Sequence, residues 1–139
     1  MLEKIKKSTM AVITGVIQLN SCYDKQRHKI KTLESSLNKL GNPGFTFEDP
    51  EPFYQDAEDE FYLIFIFGTI RWTTLDADTG YSSSLSDISL SMVEPILGRL
   101  PSFLEAYQKD LEKTEEENKM SLERLSEVVE ALNAVFSDK

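Results

Sequence analysis

From Leu2 to Leu40 the chain repeats apolar positions at alternating steps of three and four. The series is Leu2, Ile5, Thr9, Val12, Val16, Leu19, Tyr23, Gln26, Ile30, Leu33, Leu37 and Leu40, with Thr9 and Gln26 its polar exceptions. A seam of period 3.5 stays on one face only if the helix winds around a partner. The pattern predicts a helix over residues 2–40, about 58 Å long at 1.5 Å per residue. Gly41 suits a left-handed cap and Pro43 stops the helix from continuing. A second stripe, Met10, Ile13 and Ile17, lies off the seam. A helix apolar on two sides is covered on two sides. Met10, Ile13 and Ile17 are therefore candidate oligomerisation residues, and a homodimer is expected.

Residues 41–60 read as an acidic linker, broken by Pro43, Pro50 and Pro52. Aromatic and β-branched residues then run from Phe61 to Phe67 and from Ile70 to Leu75, which predicts a small antiparallel β element over 61–86. Gly68-Thr69 fits a tight turn. The favoured alternative makes Gly68 a bulge in one long strand that turns at residues 76–80 and returns through 81–85. Asp87 and the Ser91–Glu94 capping-box spacing predict a shorter helix over 87–100. Gly98 and Pro101 suggest a break before a second long helix, residues 102–137. Its seam runs Leu104, Gln108, Leu111, Glu115, Asn118, Leu122, Leu125, Val129, Leu132 and Phe136.

The two seams match if the helices pack antiparallel with partner numbers summing to about 140. Leu19 then meets Leu122, and Gln26 meets Glu115. The match serves a hairpin and a dimer equally well. The expected fold is mostly α (α+β): two long antiparallel coiled-coil-like helices with a β element and a shorter helix between them.

Composition sharpens this picture mainly through charge. The 139 residues suit a single domain with a real core. The net charge of −9 divides into +5 over residues 1–47 and −14 over residues 48–139, as complementary flanks of a helix pairing would require. So acidic a chain is not expected to bind nucleic acid or an anionic membrane directly. A single cysteine excludes a disulfide framework, and a single histidine excludes paired-histidine metal sites. No cofactor or metal is expected.

Three segments carry candidate chemistry. Lys4, Lys6 and Lys7 precede the apolar run 10–19 and then Asn20-Ser21-Cys22. This resembles a bacterial lipoprotein signal peptide, which implies removal of residues 1–21 and lipidation at Cys22 in the cell envelope. Asn20 and Gln18 depart from that pattern, and the seam passes through this region without interruption. A cytoplasmic protein is the favoured reading. Asp76-Ala-Asp78-Thr-Gly80 resembles the aspartate motif of haloacid-dehalogenase phosphatases, which implies a nucleophile at Asp76 and an acid/base at Asp78. Here threonine and glycine stand in the wrong order, and a turn is the simpler reading. Gly80-Tyr-Ser82 lacks the second glycine of a nucleophile elbow, so an enzyme is not expected.

The acidic segment 48–60 remains, with seven carboxylates and no base. Closely spaced carboxylates can imitate nucleic-acid phosphates, and aromatic residues among them can anchor an interface. The candidate partner-binding residues are Glu48, Asp49, Glu51, Phe53, Tyr54, Asp56, Glu58, Asp59 and Glu60. The expected function is a non-enzymatic protein-interaction module, an acidic inhibitor or regulator of a partner with a basic surface. A chaperone-like coiled-coil adaptor or assembly factor is the alternative.

Overall fold

The computed structural model describes residues 1–74 and 82–137. The chain divides into two units, Met1–Arg99 and Leu100–Lys139. Helix α1 spans Leu2–Asn38 and helix α2 spans Val93–Ser137, crossing from the first unit into the second. Between them in sequence lie five strands: β1 (Phe47–Glu48), β2 (Tyr54–Gln55), β3 (Glu60–Ile66), β4 (Thr69–Thr74) and β5 (Ser83–Ser84).

The first unit is organised by β3, whose residues alternate between buried and half-buried as period-2 patterning requires. Phe61, Leu63 and Phe65 point inward. They face Thr74, Trp72 and Ile70 of β4 in antiparallel register. Along the other edge of β3, β1 sets Phe47 beside Phe65, and β2 sets Tyr54 beside Phe61. The sheet order is β1-β3-β4-β5, with β2 also on β3. The core adds Ile30 and Leu37 from α1, Leu85 and Ile88 from the segment after β5, and Ile96 from α2.

Several expectations are corrected here. The segment 41–60 is not a free linker, because the inward-facing Phe47 and Phe53 draw it onto the sheet as β1 and β2. No shorter helix occupies residues 87–100. Two 3₁₀ turns, Leu85–Asp87 and Leu90–Met92, lead directly into α2. Ile88 and Ser89 adopt extended backbone between the two turns, with ψ of 148° and 138°, so no helix runs through them. Pro101 stands inside α2 without ending it, costing one backbone hydrogen bond. Much of each heptad seam is exposed. Leu2, Ile5, Val12, Val16 and Leu19 are exposed, and so are Leu122, Leu125, Val129, Leu132 and Phe136.

The β3–β4 connection is a tight turn, but one residue earlier than the Gly68-Thr69 turn read from the sequence. Ile66 pairs with Thr69, so the loop is the two residues Phe67 and Gly68, with φ of 53° and 79°. Two positive φ values define the hairpin turn whose twist matches the strands. The bulge reading fails, although β5 does return along β4, with Ser84 beside Arg71 and Ser83 beside Trp72. The expected turn at 76–80 lies outside the described residues.

Helix α1 ends at Asn38, and Gly41 does not adopt the left-handed conformation expected of it. Its role is close approach: a Cβ at Gly41 would lie 2.3 Å from the Gly68 carbonyl oxygen. Because that neighbour is backbone, Gly41→Ala should destabilise the protein by about 1–3 kcal/mol, the usual range for overpacking. At Gly44 an added Cβ would meet only the Asn42 side chain, at 3.5 Å. Urea titrations of the two variants side by side check the expectation, and equal midpoints would contradict it.

Candidate functional site

Part of the acidic segment is taken up by the fold, while Glu48, Glu51, Asp56 and Glu58 are exposed. Asp49 shares the inward parity of Phe47 and is buried, with its side chain fully enclosed. Arg99, near the start of α2, grips it with two hydrogen bonds: Nε donates to Oδ2 at 2.8 Å and Nη2 donates to Oδ1 at 2.6 Å. A bidentate guanidinium–carboxylate pair combines geometry with charge. Arg99 Nη1 also reaches Glu51 at 3.1 Å. Donating hydrogen bonds to the Asp49 carboxylate raises the Arg99 pKa above its ordinary value, so the guanidinium keeps its proton.

The remaining candidates fall into separate small structures. Phe53 is buried, in a cluster of tilted rings with Phe61 at 6.3 Å. Tyr54 packs against Phe61 at 5.6 Å. Asp56 closes a turn, accepting from the backbone N–H groups of Glu58 at 2.8 Å and Asp59 at 2.7 Å, and these bonds hold its pKa below the usual carboxylate value. Glu60 accepts from the Tyr62 hydroxyl at 2.5 Å, which raises the tyrosine pKa. Glu48 and Glu58 stay exposed. Asp49 and Glu51 thus belong to the ion pair, Phe53 and Tyr54 to the ring cluster and Asp56 and Asp59 to the turn, with Glu60 bonded to Tyr62 and Glu48 and Glu58 exposed.

Polar residues of α1 position the rest of the first unit, and sequence reading passed over them. Glu34 Oε2 accepts from the Ser84 hydroxyl at 2.5 Å and from the Ser86 N–H at 2.9 Å. Arg27 Nη1 donates to the carbonyls of Ser86 at 3.1 Å and Ile88 at 2.5 Å. Asn38 accepts from the Ile70 N–H at 2.7 Å. These side chains fall at helical spacing on the face that carries Ile30 and Leu37. The C-terminal half of α1 is thereby tied to the sheet and to the 84–88 segment.

The N-terminal half of α1 has no such ties. Met10, Ile13 and Ile17 are exposed at 70%, 54% and 63%, beside the equally open seam residues. The seam continues into a groove of about 370 Å³, with Ile30, Leu33, Val93 and Leu97 as its apolar wall and Lys25 and Lys29 on its rim. Cys22 is exposed at one end of it. On α2, the stripe from Leu122 to Phe136 is likewise open to solvent. His28 on α1 is exposed.

Among the described residues no cluster of three or more His, Cys, Asp or Glu side chains could hold a metal ion. No described helix is long and apolar enough to cross a membrane. The phosphatase-like aspartates Asp76 and Asp78 lie outside the described residues, as does Gly80. No known protein family, curated protein or solved structure matches this chain, so the surfaces themselves must carry the functional argument.

Proposed function

We propose that this protein is a non-enzymatic association module that works by helix pairing, in the manner of a coiled-coil adaptor or assembly factor. The carrying observation is that heptad stripes on both α1 and α2 are apolar, regular and exposed. Isolated helices draw little stability from propensity alone, and most of it comes from packing an apolar face. Residues 9–17 of α1 make the point sharply. They include Thr9, Val12, Ile13, Thr14, Val16 and Ile17, all β-branched, and Gly15, none a strong helix former. Covering each aliphatic side chain of such a stripe contributes about 1.5–3 kcal/mol, which supplies the driving force for association.

The acidic segment fits this reading as part of the folded unit that presents the helices. With Asp49 and Phe53 turned inward and Glu51 held by Arg99, it offers less surface to a basic partner than its composition suggests.

Light scattering across a concentration series tests the proposal. The wild-type chain should have at least twice the monomer mass, and Val12→Glu combined with Val16→Glu should return it to monomer. Trp72 fluorescence should not change, since Trp72 belongs to the sheet. A wild-type chain that stays monomeric at high micromolar concentration, with its helices intact by circular dichroism, would overturn the reading.

A further inference from the structure

Building on helix pairing as the mode of association, we infer that the occupant of the α1 stripe is the α2 stripe of a second copy of this chain. It runs antiparallel, in a register where partner numbers sum to 141. Three independent features converge on this arrangement. First, the exposed heptads are in phase: Ile5 falls opposite the second copy's Phe136, Val16 opposite its Leu125, and Leu19 opposite its Leu122. Second, charge is complementary. Gln26 in the groove falls opposite the second copy's Glu115, Lys25 opposite its Glu116 and Lys29 opposite its Glu112. The intrahelical pair of Glu115 with Lys119, at 3.4 Å, is exposed and therefore weak competition.

Third, side-chain sizes interlock along one flank. In an antiparallel pair the residues just before each first seam position face their equivalents on the other helix. On α1 these are Ser8, Gly15 and Cys22, all small; on α2 they are Val135, Val128 and Ser121. Gly15 has open space where a Cβ would be, although a glycine inside a helix costs about 1 kcal/mol relative to alanine. Room for Val128 gives that glycine a packing reason. A second copy also supplies enough contact. Each stripe of about 22 residues is roughly 33 Å long and about 10 Å wide. A two-fold dimer makes the contact twice, so four stripes of that size fall within the range of about 1,200–2,000 Å² typical of stable interfaces.

Cysteine cross-linking tests the register, because Cys22 is the only native thiol. With Ser121→Cys, a short bismaleimide linker should join two chains, and the covalent dimer should exceed that of the wild type or of the outward-facing Met120→Cys roughly tenfold, as expected for thiols held at millimolar effective concentration. A chain that is dimeric by light scattering yet gives no Ser121→Cys cross-link would overturn the register while leaving helix pairing in place. Equal linking of wild-type chains through Cys22 would assign the contact to two α1 helices and overturn it as well. Thiol consumption without a covalent dimer would place the pairing within one chain. A wild-type monomer would defeat both the inference and the reading on which it rests.

Discussion

Arg99→Met is expected to lower the stability of the protein by about 3–5 kcal/mol, the usual cost of removing one member of a buried ion pair. The loss comes from what is left behind. The Asp49 carboxylate is fully enclosed, and Arg99 supplies both of its side-chain hydrogen bonds to a charged group. With methionine at 99 the carboxylate either stays charged in an apolar setting or takes up a proton, and both cost stability. The melting temperature should fall on the order of 10–20 °C for a chain of this size. Pairing the change with Asp49→Leu should recover most of the loss, because an apolar pair of similar volume is often as stable as the ion pair it replaces. Urea denaturation followed by Trp72 fluorescence measures all three chains. If Arg99→Met alone shifts stability by less than about 1 kcal/mol, the pair is solvated and its structural role is smaller than its geometry implies.

Phe65→Ala should cost a similar amount, about 3–5 kcal/mol, through a cavity rather than a charge. Phe65 has no exposed surface and lies at the centre of the sheet, with Phe47 on one side and Ile70 on the other in direct cross-strand register. Those neighbours are held by backbone ladders on both edges of β3, so the space cannot collapse without breaking strand pairing. Phe65→Leu should retain most of the stability, since much of the volume is kept. The same urea titration tests the pair. An equal loss for both substitutions would show that the aromatic shape, and not the filled volume, is what the site requires. Because the helix stripes are separate from this core, light scattering of the folded Phe65→Ala chain should give the same mass as the wild type.

The helices were legible from spacing because a seam of period 3.5 over ten turns leaves few alternatives. The seam could not show how far each helix is used. Ile30 and Leu37 are buried in the chain's own core while Val12 and Val16 are exposed, although all four obey the same repeat. The decisive difference lies in Arg27, Glu34 and Asn38, polar residues on the docked face whose partners are far away in sequence. The burial of Asp49 in the acidic segment was not legible for a related reason. Counting its carboxylates hid the period-2 placement of Asp49 on the same side as Phe47, which marks it as inward. Arg99, the only basic residue between Arg71 and Lys109, was the one nearby cation on the α2 side able to answer it. Local capping signals point to a short helix over 87–100, but Ile88 and Ser89 are extended and the helical part from Val93 belongs to α2.

The prolines of the acidic segment bear on how this protein avoids the wrong kind of assembly. A sheet edge is a template of unpaired backbone groups that can recruit a strand from another chain. Here β1 and β2 share one side of β3 but are separated by Pro50 and Pro52, which carry no N–H to offer. The described strand at the far side, β5, is only two residues long. Neither offers an incoming strand an uninterrupted row of donors and acceptors. Growth by strand addition is thus blunted at both of these described edges.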